Sequence, residues 1–141
     1  MDGFLNRFAA ETIFGADFSL NGMQLANLRC DSFSGRCELE LIHSGEVKQP
    51  PAKWCGCPWE KVLLRLFFFG VREYHARLYA PDDFTVCNYS VKVLPQKRFV
   101  LTLQCENGDL IKLEYTGAQI GNIKPLICDP ESHDYTVPAG L

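Results

Sequence analysis

Apolar residues crowd together in one stretch, Val62-Leu63-Leu64-Arg65-Leu66-Phe67-Phe68-Phe69, with Gly70 behind it. A strand with one wet face alternates apolar and polar positions; this one is apolar on both faces, Arg65 excepted. It is too short to cross a membrane as a helix. Three aromatics and the flanking glycine favour a strand. The pattern predicts the central strand of the fold, covered on both sides. Arg65 then needs a carboxylate partner or an exit to water.

The remaining pattern is read against that strand. Asp2 is a candidate N-cap for a short amphipathic helix over residues 3–12, with Phe4, Leu5 and Phe8 on one face and Gly15 closing it. Residues 25–30 and 37–42 predict a hairpin, with Cys37, Leu39 and Leu41 alternating against Glu38 and Glu40. Pairing Leu28 with Leu39 places Cys30 opposite Cys37. Residues 74–79 predict a strand with Tyr74, Ala76 and Leu78 inward, followed by a Pro81-Asp82-Asp83 turn; residues 85–94 predict another, closed by a turn at Pro95-Gln96-Lys97. Residues 99–105 and 109–115 form the clearest hairpin. A two-residue Asn107-Gly108 turn would set Leu103 against Lys112. A three-residue loop, Glu106-Asn107-Gly108 with a left-handed glycine, matches Leu103 with Ile111, Leu101 with Leu113 and Phe99 with Tyr115. Residues 120–127 add a strand broken at Pro125, and the polar, acidic residues 129–141 read as a mobile tail. The fold expectation is a single domain, 1–141, with its β part over 23–127. It is mainly β (α+β): a strongly curved antiparallel sheet, half-barrel or sandwich of about seven or eight strands with one short N-terminal helix.

Composition changes the picture at three points. With 47% hydrophobic residues among 141, there is material for one core. A formal charge of −3 argues against a general phosphate-backbone binder, though it does not exclude a local basic patch, and no nucleic-acid partner is expected. No stretch reaches the length of a membrane helix, so no membrane is expected either. The opening Met-Asp-Gly-Phe-Leu-Asn-Arg-Phe lacks a basic region followed by an apolar core, and the expectation is a cytoplasmic protein whose seven cysteines are reduced, most simply buried thiols.

Standard catalytic signatures are absent: no nucleophile elbow, no phosphate-cradling glycine loop, no paired-histidine zinc motif. His43, His75 and His133 lie in separate segments. No catalytic residue, metal or cofactor is assigned. The longest irregular stretch, residues 44–60, concentrates Pro50-Pro51 and Trp54-Cys55-Gly56-Cys57-Pro58-Trp59. The Cys-Gly-Cys spacing lacks the two to four intervening residues usual for structural zinc, though a site of Cys55, Cys57 and His43 is conceivable. A loop tryptophan either closes one end of a β core as a lid or anchors a partner. Lys53, Trp54, Cys55, Cys57 and Trp59 are the candidate partner-binding residues.

Several segments together carry a resemblance: Gln24-Leu25-Ala26-Asn27-Leu28, the alternating Cys37-Glu38-Leu39-Glu40-Leu41, the Trp-containing loop, Val62-Leu63-Leu64-Arg65-Leu66 leading through Phe69-Gly70-Val71, and Ile123-Lys124-Pro125-Leu126. Over residues 18–126 this layout resembles small β-rich bacterial immunity proteins of polymorphic or contact-delivered toxin systems. Phe18-Ser19-Leu20-Asn21-Gly22 stands where such domains open on a Phe-His-Asp trio. The resemblance implies a non-enzymatic cytoplasmic inhibitor whose partner is one cognate protein toxin. Two rival expectations remain: a small-ligand-binding or hydrolytic β-barrel-like enzyme, and a structural subunit of a larger assembly. The oligomeric state is left open.

Overall fold

The computed structural model describes residues 4–5, 7–79 and 83–141. Eleven strands are seen among them, in one sheet of seven and one of four, with a single α-helix. The expected mainly β domain is what forms, and no closed barrel results. The first sheet is built on β4 (Lys61–Phe69). Along one edge β4 pairs antiparallel with β3 (Arg36–His43), which pairs with β2 (Gln24–Asp31). The other edge is shared: β9 (Gly117–Ile120) takes its C-terminal half and β10 (Lys124–Cys128) its start. The two-residue strands β1 (Phe4–Leu5) and β11 (Tyr135–Thr136) pair with β9 and β10. The second sheet runs β5 (Glu73–Arg77), β8 (Leu110–Tyr115), β7 (Arg98–Gln104), β6 (Asn88–Leu94).

Alternation explains the core. Val62, Leu64, Leu66 and Phe68 on one face of β4 are fully buried, and they share one cluster with Leu39, Leu41, Leu101, Leu103, Ile111, Leu113 and Tyr115. Tyr115 meets Phe68 edge-on at 4.9 Å and stacks on Phe99 at 5.7 Å. Burial pushes ionisation of its hydroxyl upward. The other face of β4 is covered less than its composition suggests: Leu63 is buried, but Arg65, Phe67 and Phe69 are half-buried. Arg65 finds its carboxylates there. Its Nε lies 3.9 Å from Glu38 and 3.8 Å from Glu40, and Arg29 approaches the same pair at 3.1 and 4.0 Å.

Two joints connect the sheets. At the first, β4 runs into β5 through Gly70, and β8 into β9 through Thr116, so that one bent two-stranded ribbon serves both sheets. Gly70 has φ 62, the Thr116 N–H donates to the Phe69 carbonyl at 3.0 Å, and the Arg72 N–H to Glu114 at 3.1 Å. Phe69 faces Gly117 while Glu73 faces Glu114, so the register gains one residue at the bend, as a bulge requires. At the second joint the 84–86 segment pairs with the start of β2: Leu25 N–H donates to Phe84 at 2.8 Å and Val86 N–H to Met23 at 2.9 Å.

Several expectations are corrected. The helix α1 spans Arg7–Phe14 rather than 3–12; Phe4 and Leu5 form β1 instead, and Asp2 lies outside the described residues. The buried helical face is Ala10, Ile13 and Phe14, which leaves Phe8 78% exposed. Gly15 closes the helix as expected, with φ 107 and its N–H on the Glu11 carbonyl at 2.9 Å. Strand β5 is exposed at every position, because among the described residues no layer covers that edge of the second sheet. Of the following turn, Pro81 and Asp82 lie outside the described residues. The break in the last long strand falls at 121–123, not at Pro125, which sits opposite Val62. Residues 129–141 are folded back: β11 pairs with β10, Lys61 lies over the Tyr135 ring at 4.5 Å, and Lys124 hydrogen-bonds the Leu141 carbonyl. Composition alone had marked this segment as mobile. Finally, Cys30 and Cys37 are joined by a disulfide across the β2–β3 hairpin. Their Cα atoms are 4.1 Å apart, the close approach of a non-hydrogen-bonded antiparallel pair. The expectation of seven reduced cysteines therefore fails in this structure, and of the five free ones Cys55 and Cys87 are exposed and Cys57, Cys105 and Cys128 half-buried.

Candidate partner-binding loop

The 44–60 loop joins β3 to β4 and is tied down along its length. His43 at its base sets its ring edge against Phe14 at 4.9 Å, with Nε2 3.0 Å from the Glu46 carbonyl. The N–H groups of Lys48 and Gln49 both donate to Ile13, at 2.9 and 3.1 Å, which satisfies a carbonyl of the last helical turn. Pro51 then opens a single 3-10 turn, Ala52–Trp54, held by Trp54 N–H on the Pro51 carbonyl at 2.9 Å. Gly56 reverses the chain with φ 91, and the Glu60 N–H closes the loop onto Leu126 at 2.8 Å.

This framework sorts the candidate residues. Trp54 is 1% exposed and belongs to the core cluster, the placement of a lid. Its indole nitrogen has no hydrogen-bond partner among the described residues. Trp59 packs edge-to-face on Trp54 at 5.5 Å and is half-buried. The Cys57 thiol donates to the Trp54 carbonyl at 3.2 Å. Lys53 and Cys55 are exposed. No three His, Cys, Asp or Glu side chains gather as a metal site among the described residues.

The loop has a neighbour that sequence reasoning missed. An open groove of about 400 Å³ runs between α1, the loop and the 119–123 segment, lined by Phe8, Ile13, Pro51, Lys53, Ile120 and Ile123. Phe8 is 78% exposed beside it, and Leu5 on the neighbouring strand is 68% exposed. The signal was present in the sequence: Ala10, Ile13 and Phe14 keep helical spacing by themselves, and extending that face backward leaves Phe8 off it. A second groove, about 360 Å³, lies on the outer face of the second sheet, with His75, Ser90, Lys92, Thr102 and Lys112 among its lining. It does not include any residue of the loop.

The chain matches no protein-family model, no curated protein and no solved structure. No helix among the described residues is long and apolar enough to cross a membrane.

Proposed function

We propose that the protein is a non-enzymatic binding module, an immunity protein that neutralises a cognate bacterial protein toxin by direct contact in the cytoplasm. The observation that supports it is the exposed Phe8, which lines the groove that Pro51 and Lys53 border. Apolar side chains held on a backbone tethered at both ends lose little entropy on docking. Trp54 and Trp59 then act by packing on each other and holding the loop. Lys53 on its rim suits an acidic patch on the toxin.

The test is to look for a toxin gene beside this one and to capture the toxin domain it encodes. Wild-type protein should bind, while Phe8→Ala and Lys53→Glu should weaken binding with unchanged melting curves. Equal binding by both variants removes this surface from the interface. Absence of any toxin partner, with turnover of a small molecule, overturns the function itself.

A further inference from the structure

Strand β5 is one open edge of the second sheet, exposed on both faces. Its residues read Glu73-Tyr74-His75-Ala76-Arg77. Hydrogen bonds alternate along a strand, and the Cys105 N–H to Asp109 bond at 2.9 Å starts the count for β7 and β8. Residues 110, 112 and 114 then turn their backbone groups to β5, onto Arg77, His75 and Glu73. Tyr74 and Ala76 are left with N–H and C=O directed outward. Among the described residues, no backbone hydrogen bond to either is found outside the sheet.

We propose that this edge pairs with the same edge of a second copy, making a two-fold dimer with one continuous eight-stranded sheet. Antiparallel self-pairing centred on His75 sets Tyr74 against the partner's Ala76, and the reverse, for four main-chain hydrogen bonds. It also sets Glu73 against the partner's Arg77 twice, on one face, at positions where opposed side chains lie closest. A charged edge usually prevents such pairing. Here the opposite charges stand four residues apart about the centre, so the symmetry turns repulsion into complementarity. Arg77 is already held at the edge by its hydrogen bond to the Gly108 carbonyl at 2.9 Å, and keeps further N–H groups to donate. The other open edge of this sheet, β6, carries Lys92 as its one charged residue and has no such match. The dimer is independent of the toxin-binding reading.

Sedimentation velocity of the full chain over a concentration series tests it, with circular dichroism melts to confirm folding. Wild type should dimerise in the micromolar range. Ala76→Pro removes an outward N–H without touching the β8 ladder and should leave a monomer. Glu73→Arg and Arg77→Glu should each weaken the dimer by about tenfold or more, because each places like charges opposite one another twice. The double reversal Glu73→Arg/Arg77→Glu should return it to within about threefold of wild type. Lys92→Glu on β6 should change nothing. A wild type monomeric at several hundred micromolar, a dimer indifferent to Ala76→Pro, a dimer lost with Lys92→Glu, or a folded double reversal that stays monomeric would each overturn the proposal.

Discussion

Gly108 and Lys97 close neighbouring hairpins with the same left-handed backbone, φ 92 and 57, and only Gly108 lacks a Cβ. A Cβ at Gly108 would meet nothing within 4 Å, so Gly108→Ala isolates the dihedral cost. It should lower stability by about 1 kcal/mol in denaturant titration. Lys97→Gly should act with the opposite sign and a smaller size, since glycine's freedom in the unfolded chain offsets part of the relief. The cysteines supply the other prediction at this scale. With Cys30 bonded to Cys37, protein purified without reductant and then unfolded should titrate five thiols. Adding reductant should raise the count to seven and lower stability by about 2 to 3 kcal/mol, the loop-closure scale for so short a separation. A count of seven before reduction means that the pair is held as thiols. The sequence placed these two residues opposite one another through the Leu28–Leu39 register, which is observed. What it could not supply was their oxidation state, because hairpin pattern and redox chemistry are independent.

At the scale of elements, period-two alternation carried most of what could be read. The β7–β8 register holds as read, Leu103 on Ile111 and Leu101 on Leu113, because slipping by one residue would turn every apolar side chain outward. The departure from that rule, an apolar run on both faces, made β4 central. The rule failed where burial is asymmetric: β5 has the alternation of a covered strand, yet no described residue covers it, and tertiary layout cannot be read from one strand's own pattern. The helix start slipped because Phe4 and Leu5 suit a parallel edge strand beside Ala118 and Gln119 as well as a helical face. Gly70 marks the corner that no pattern announced. A Cβ there would overlap the Thr116 hydroxyl, and φ 62 adds strain of its own. Gly70→Ala should therefore destabilise by more than the roughly 1 kcal/mol expected from the dihedral alone. Thr116→Ala in the same background should recover the steric part, leaving the dihedral cost. A double-mutant cycle by chemical denaturation measures this directly. Simple additivity would mean that the corner relaxes away from Thr116.

Across the whole molecule, the 44–60 loop divides into a buried half that stabilises and an exposed half that is free to bind. Composition could locate the loop but could not make that division, since Trp54 and Lys53 are adjacent in sequence and opposite in burial. The division makes a prediction about which substitutions separate folding from binding. Trp54 is 1% exposed and supports Trp59 from beneath, so Trp54→Ala should cost about 3 to 5 kcal/mol in stability, the range for truncating a large buried aromatic. Any loss of toxin binding should then follow loss of structure, and vanish when binding is measured well below the melting point. Phe8→Ala removes a side chain that is 78% exposed, so its stability should stay within about 0.5 kcal/mol of wild type. Its binding should fall by about 2 kcal/mol, the hot-spot scale, if Phe8 enters the toxin. The paired measurement is a melting curve and a titration against the toxin domain for each variant. Trp54→Ala folding normally but failing to bind would make the tryptophan an anchor after all, reached through an opening of the loop. Phe8→Ala destabilised as strongly as Trp54→Ala would mean that the helix surface belongs to the core, and the docking surface would have to be sought elsewhere.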